Sequence, residues 1–539
     1  MNELLYFDAC CYLGRHVHKP EGQPETAEEI LAAMDHFGIH EALVVDTLSR
    51  ETNPMAGNRR IIERTRAHPR LHPAWAALMP QSRELPPPRE FVAQLREAGV
   101  GAVFLFYGQF DIRLEDWGID PLLEELAAVR CPVVLCPVNW REGGHQDATD
   151  WHNVVRICRK FPDLPVIVTE ARVYKSQRAV WAALAACPNL KIDLSALWLA
   201  RSIEFVCREF GADRLVWGSQ LPERTPGAPL MQLNYSLIRK DELALIAGGT
   251  MRKLLSWNPK IRFVGESVKL SPPSDSIHRA ARECTGALDG TPLAGERFYD
   301  CHGHIGWATP HHVTWHKLEE LVREMDLFGV QVCCVFGLEG VFGDETYGND
   351  EVADAVRRFP NRFIGFTMVN PNHGERAMRE ELERGLAMGM KGIKLIAWYQ
   401  GYPTEGPLID VACEFAHRHR QFILNHSWGS AAQMERLCKT YPDACFFAGH
   451  TTREYAQLVK RVDNLFICTC PLLGWHQTEE YVELYGADRL LFGSDLTDLP
   501  IGWGMGQIAY ANIPEADKRL ILGGNLKRLM DKYGIRPGP

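Results

Sequence analysis

The chain has 539 residues with 59 basic and 68 acidic side chains, a formal net charge of −9. That mild acidity, with no Lys/Arg block, argues against nucleic acid or an anionic membrane as partner. An apolar content of 46% fits a soluble globular protein and argues against disorder, and no apolar run is long enough to span a membrane. The opening Met1-Asn2-Glu3-Leu4-Leu5-Tyr6-Phe7-Asp8 has neither a basic segment nor a small-residue cleavage site, so no secretory signal is expected. Sixteen cysteines in so long a chain do not make a disulfide scaffold. Adjacent pairs such as Cys10–Cys11 and Cys333–Cys334 lie in apolar runs, no CxxC zinc pattern occurs, and a reducing, cytoplasmic setting is expected.

In chain order, the first motif is Tyr6-Phe7-Asp8-Ala9-Cys10-Cys11-Tyr12-Leu13-Gly14, followed by Met34-Asp35-His36-Phe37-Gly38. Gly211-Ala212-Asp213-Arg214-Leu215-Val216-Trp217-Gly218-Ser219-Gln220 and a closing helix through Ala247-Gly248-Gly249 come much later. A segment rich in turn and breaker residues, Ser271-Pro272-Pro273-Ser274 to Gly290-Thr291-Pro292, predicts a linker at about 263–296, with room for a short helix. The same series then recurs as Phe298-Tyr299-Asp300, Met325-Asp326-Leu327-Phe328-Gly329, Gly486-Ala487-Asp488-Arg489 through Gly493-Ser494-Asp495, and Leu522-Gly523-Gly524-Asn525. Four matches in one order predict a tandem duplication, with one copy over residues 1–262 and the other over 297–539. The first copy is slightly longer, with Pro86–Pro88 and Arg141–Gly144 in plausible insertions.

The second copy alternates short apolar runs with longer amphipathic stretches. The runs are Phe298–Cys301, Gln331–Phe336, Arg362–Met368, Gly392–Ile396, Gln421–Asn425, Cys445–Gly449, Leu465–Thr469 and Leu490–Gly493. Leu318, Leu321, Val322, Met325 and Phe328 fall at helical spacing over 318–328. Eight strand–helix units predict an α/β chain of two tandem (β/α)8 TIM barrels, in preference to an open doubly wound sheet.

Active sites of such barrels lie where strands end. The first strand ends His302-Gly303-His304, whose alternate residues face one way. The fifth ends in His426, the sixth in His450 and the eighth in Asp495. Imidazoles and a carboxylate suit Zn²⁺ with an open position for water. Each residue also has a plain reading as a buried, hydrogen-bonded side chain at a strand end.

Asp300-x-His302-x-His304, His426, His450, Gly493-Ser494-Asp495, Gly392-Ile393-Lys394-Leu395 with Tyr399-Gln400-Gly401, and Asn525-x-x-Arg528 together resemble the amidohydrolase superfamily, most closely its amidohydrolase-2 branch. The resemblance covers about residues 296–535 well and 1–262 as a decayed copy. It implies that His302, His304, His426 and Asp495 ligate one divalent metal, Zn²⁺ first and Mn²⁺ second. His450 becomes the acid/base beside it or a ligand of a variant site, and Asp495 also holds or deprotonates water. Some relatives carry a carbamylated strand-four lysine bridging two metals, whereas the context of Lys394 resembles the one-metal branch, where it contacts an anionic substrate; a buried ion pair is the plain alternative.

Trp307, Trp398, Tyr399, Trp428 and Trp475 follow strand ends and suggest an apolar or cyclic substrate, and Arg453 is placed to clamp a substrate carboxylate. Loop packing and a surface ion pair are the competing readings. His16-Val17-His18, His311-His312 and His417-Arg418-His419 lack strand context and read as structural or solvated.

Aligning the copies sets Cys10 against His302, Tyr12 against His304, Cys136 or Pro137 against His426, Glu170 against His450, Gln220 against Asp495, and Val103 or Phe104 against Lys394. No ligand survives, so the first barrel is expected to be catalytically silent, its pocket filled; a thiol site at Cys10, Cys136 and Glu170 is the alternative. The family's habit of pairing implies an intrachain pseudo-dimer of two barrels, with a further homo-oligomer open. The function implied is metal-dependent hydrolysis, activated water attacking a small carboxylate-bearing amide, ester or lactone. A metal-dependent nonoxidative decarboxylase of the same branch is the alternative, and a non-catalytic metal-binding scaffold the third.

Overall fold

The computed structural model describes residues 4–17, 22–137, 149–169, 177–283, 293, 296–307, 312–314 and 317–539. The chain divides into two compact units. The first comprises Met1–Ser274 and Arg282–Gly290; the second comprises Asp275–Ala281 and Thr291–Pro539. The segment 275–281 joins the second unit through polar contacts. Lys518 Nζ reaches Asp275 at 3.0 Å, and the Ser276 N–H donates to Glu515 at 3.1 Å. A short helix, Ser276–Glu283, begins there.

In the second unit eight parallel strands follow in sequence order: Phe298–Ile305, Val330–Gly337, Phe363–Met368, Gly392–Leu395, Phe422–Asn425, Cys445–Ala448, Leu465–Cys468 and Leu490–Leu491. The first and last also join. Cys301 N–H donates to the Phe492 carbonyl at 2.8 Å, Asp495 N–H donates to the His302 carbonyl at 2.9 Å, and Gly303 bridges to Leu496. The sheet therefore closes into a barrel. Helices between strands carry apolar stripes inward, as in Leu318–Leu327, where Leu321 and Met325 are buried. Cys301, Phe366, Leu424, Phe447, Phe466 and Leu491 fill the interior below the strand ends. Each buried large side chain of this kind contributes about 1.5–3 kcal/mol.

The first unit follows the same plan. Strands Phe7–Leu13, Glu41–Asp46 and Leu71–Pro73 pair in order, and Trp75–Ala76, Val103–Leu105, Val133–Leu135, Val166–Val168, Leu190–Asp193 and Leu215–Val216 form the rest. Leu71–Pro73 and Trp75–Ala76 are one strand interrupted at Ala74, whose N–H still donates to Val44 at 2.9 Å. Ala9 N–H to Trp217 and Tyr12 N–H to Leu221, at 2.9 and 2.7 Å, close the ring.

The repeated Gly-Gly of each closing helix has a steric cause. A Cβ on Gly248 would sit 2.6 Å from the Leu5 carbonyl oxygen, and one on Gly523 would sit 3.0 Å from Tyr299 N and Arg297 O. Only glycine lets that helix lie so close to the first strand. Among the described residues no helix is long and apolar enough to cross a membrane. The described cysteines are free thiols, all buried except the half-buried Cys207.

Candidate metal centre

The site of the second barrel begins with a backbone irregularity. Asp300 pairs with Cys333 but Gly303 pairs with Val335, so the first strand holds one extra residue. Such a bulge reverses which face later residues meet. Cys301 lies in the interior cluster, and His302 within the bulge and His304 beyond it also face the interior mouth. The first barrel has the same bulge between Asp8 and Cys11.

Asp300 stitches this bulge shut. Its Oδ1 accepts the His302 N–H at 3.0 Å and the Ser494 N–H at 3.1 Å, while the Ser494 hydroxyl oxygen accepts the Leu496 N–H at 3.0 Å. Burial pushes its carboxyl up to about 6, against the opposing Ser494 hydrogen bonds. In the first barrel Asp8 Oδ1 likewise accepts the Cys10 and Ser219 N–H groups while the Ser219 hydroxyl oxygen accepts the Leu221 N–H, and burial pushes the Asp8 carboxyl up to about 7. The aspartate of the Asp-x-His motif and the serine of Gly-Ser-Asp thus set the backbone that aims the ligands.

Asp495 follows strand eight in a left-handed conformation, φ 61°, which Gln220 repeats at φ 60°. Its Oδ1 lies 3.4 Å from His302 Nε2 and 3.5 Å from His304 Nε2. The His302 ring lies 5.5 Å from that of His426 and 5.9 Å from that of His450, and the last two rings are 4.1 Å apart. All five residues meet at one mouth.

His302 Nδ1 lies 3.0 Å from the Gly449 carbonyl, which makes it the N–H donor and leaves Nε2 with its lone pair. Nε2 of His302 and of His426 are buried without a hydrogen-bond partner among the described residues. Burial first, then Lys394 and the neighbouring imidazoles, holds both rings well below the usual histidine range, so they are neutral. Two donors each about 2.1 Å from one ion at a tetrahedral angle stand about 3.4 Å apart, the separation that His302 and His304 keep from Asp495. This donor set fits a divalent cation.

Lys394 is fully buried among these groups, with its Nζ 4.4 Å from the Phe336 ring centroid and no hydrogen-bond partner among the described residues. Burial lowers it to about 7, with Asp495 opposing. The Tyr399 ring stands 5.8 Å from His426, at the rim. Trp398, beside it, is 84% exposed and Trp307 is 46% exposed, while Trp475 is buried and stacks on His476 at 4.5 Å.

Two expected substrate contacts are corrected. Trp428 is 0% exposed; its indole N–H donates to the Phe447 carbonyl at 2.9 Å and its ring meets Phe446. It packs the sheet, because a buried indole is anchored by its one donor. Arg453 points its fork at Glu480, with Nη2 to Oε2 at 2.7 Å and the side chains exposed, so it is a surface pair. His417 and His419 end the helix Pro407–His419, His417 accepting the Asp443 N–H at 3.1 Å. His18, Glu170 and His311 lie outside the described residues.

Reading for CxxC spacing passes over Cys468-Thr469-Cys470, at the end of strand seven. Cys470 Sγ, a ring nitrogen of His302 and a carboxylate oxygen of Asp495 all lie within 4.8 Å of one another. The legible signal is the alternation itself, a Cys-x-Cys at a strand end like the His-x-His of strand one.

In the first barrel, Cys10, Tyr12, Phe104 and Cys136 face the interior where His302, His304, Lys394 and His426 stand in the second. Cys10 Sγ lies 3.1 Å from Tyr12 Oη, and Gln220 Nε2 donates to Ser195 Oγ at 3.0 Å. The Arg50 guanidinium lies over the Tyr12 ring at 4.2 Å and pairs with Glu223, Nη2 to Oε2 at 2.9 Å. His16 Nδ1 sits between Glu223 at 3.0 Å and Glu51 at 3.2 Å. Burial works against its charged form, but the two carboxylates outweigh it and raise the imidazole. Those three donors are near enough to share an ion, yet Arg50 already neutralises Glu223, so the cluster is internally paired.

The amidohydrolase family model matches residues 17–257 and 343–531. Solved structures similar to the chain include a 2,6-dihydroxybenzoate decarboxylase from Rhizobium, at 16% identity and TM-score 0.35, with 44% of this chain and 99% of that chain covered. A 5-carboxyvanillate decarboxylase from Novosphingobium aromaticivorans, complexed with manganese and 4-hydroxy-3-methoxy-5-nitrobenzoic acid, matches at 15% and 0.36, covering 44% and 96%. A TIM-barrel protein from Bordetella bronchiseptica matches at 14% and 0.36, covering 44% and 99%. No curated protein matches the chain. With both copies matched by one model over most of its length, the chain belongs to the amidohydrolase family.

Proposed function

We propose that the second barrel is a metal-dependent hydrolase acting on a small carboxylate-bearing amide, ester or lactone. The observation that carries this reading is the convergence of His302 and His304 on one Asp495 oxygen, with His426 and His450 beside them. His302, His304, His426 and Asp495 would hold one divalent ion, Zn²⁺ by donor type. When bound, such an ion supplies Lewis acidity and brings its water to a pKa of about 7.

The protein's own groups do the rest. Asp495 accepts the proton of the attacking water. His450, partly open to solvent, returns a proton to the leaving atom. Lys394, cationic below about pH 7, attracts the substrate carboxylate, and Phe336 and Tyr399 supply apolar walls. The first barrel takes no part in the chemistry in this reading, because its interior mouth holds Cys10, Tyr12, Cys136 and Gln220 in closed contacts.

The test is a panel of carboxylate-bearing amides, esters and lactones with the zinc-loaded protein, following acid release and CO₂ together. Acid release without CO₂ is expected. CO₂ release would replace hydrolysis by nonoxidative decarboxylation, and metal binding with no turnover on any substrate would favour a scaffold.

A further inference from the structure

Strand seven of each barrel ends beside strand eight in the same register. Asp193 pairs with Val216, and Cys468 pairs with Leu491. Two residues on, Ser195 and Cys470 occupy matching places. In the first barrel this corner is a closed polar ring: Gln220 Nε2 donates to Ser195 Oγ at 3.0 Å, and Ser195 Oγ donates to Asp193 Oδ2 at 2.6 Å. In the second, the same three places hold Asp495, Cys470 and Cys468. A hydrogen-bonding corner has been exchanged for a carboxylate and two thiols facing an imidazole.

The packing brings these groups together. A Cβ on Gly493 would sit 2.3 Å from Cys468 Sγ, 2.9 Å from His302 Cβ and 3.5 Å from Cys470 Cβ, so strand eight leaves no side chain between them. Cys470 Sγ lies within 4.8 Å of donor atoms on both His302 and Asp495, and His302 Nε2 is buried with no hydrogen-bond partner among the described residues. Cys468 Sγ instead lies 3.8 Å from His302 Nδ1, the nitrogen that faces the Gly449 carbonyl. It backs the ring rather than facing the centre.

We propose that Cys470 is a thiolate ligand of the metal in the second barrel, alongside His302 and Asp495; this rests on the reading of that mouth as a metal centre. The thiol S–H bond breaks as the sulfur–metal bond forms, and the proton passes to solvent. A sulfur ligand makes the site soft and biases it toward Zn²⁺ over Mn²⁺.

The experiment loads the full-length, metal-free protein with Co²⁺ and records its absorption together with bound cobalt per chain. The wild type should show visible d–d bands and a near-ultraviolet thiolate-to-cobalt charge-transfer band. Cys470→Ser should keep the cobalt and the d–d bands, lose the charge-transfer band and shift Zn²⁺/Mn²⁺ competition toward Mn²⁺; Cys470→Ala is a second variant in case the first fails to fold. Cys468→Ser should keep the band. Wild-type d–d bands without a charge-transfer band would overturn the thiolate while leaving the metal centre intact. So would a band that survives in Cys470→Ser or disappears in Cys468→Ser alone. Failure of the wild type to bind cobalt would overturn the metal centre and the thiolate with it.

Discussion

Replacing Asp300 by alanine tests how the fold aims the site. The change removes the acceptor of the His302 and Ser494 N–H groups, at 3.0 and 3.1 Å in a fully buried corner. Each orphaned buried donor costs about 1–3 kcal/mol, so a loss of about 2–6 kcal/mol is expected. The substitution Asp8→Ala removes the twin acceptor in the first barrel, from Cys10 and Ser219, both at 3.0 Å, and should destabilise by a similar amount. The two should part company in metal binding. Asp300→Ala loosens the backbone of His302 and weakens zinc, whereas Asp8→Ala leaves zinc affinity unchanged. Calorimetric unfolding of the metal-free chain and a zinc titration read the two effects. The sign of the pH dependence follows from the raised carboxyl. A folded value of about 6 exceeds the unfolded value of about 3.9, so the associated stability is present below about pH 4 and lost as pH rises through 6. The destabilisation by Asp300→Ala should therefore be larger at pH 4.5 than at pH 7.5. An unchanged melting profile for Asp300→Ala, or an equal zinc defect in Asp8→Ala, would refute the reasoning.

The other expectations concern the site itself. His302→Ala should lose the metal, while His450→Ala keeps it and loses about 10²–10⁴ in turnover; metal loss in His450→Ala would make it a ligand instead. Lys394→Met should retain metal and raise KM for carboxylate substrates. Because burial favours the neutral amine, wild-type KM should climb as pH rises through about 7, and the variant should lack that limb. Arg453→Ala should change KM by less than about twofold, since an exposed pair contributes about 0–1 kcal/mol; a large rise would return Arg453 to the substrate.

The eight strands of the second copy were legible because apolar periodicity is a local property. Leu318, Leu321 and Met325 mark an inward stripe whatever surrounds them. The donor types were legible for a related reason: residues at strand ends of a barrel share one mouth, so His302, His304, His426, His450 and Asp495 could be grouped before any distance was known. Trp428 and Arg453 were less legible. Both follow strand ends, and only their partners, the Phe447 carbonyl and Glu480, settle which way each side chain turns.

The sequence by itself determined that one barrel was copied, that the second copy kept a nitrogen and oxygen donor set, and that the first replaced it with Cys10, Tyr12 and Gln220. Those are matters of residue type and order. Tertiary structure alone decided that Asp300 and Asp8 are stitches, since the bulge they close exists only once strands one, two and eight are paired. It alone brought Cys470 to His302 and Asp495, because that corner depends on Gly493 letting two strands' side chains meet across a gap too small for a Cβ.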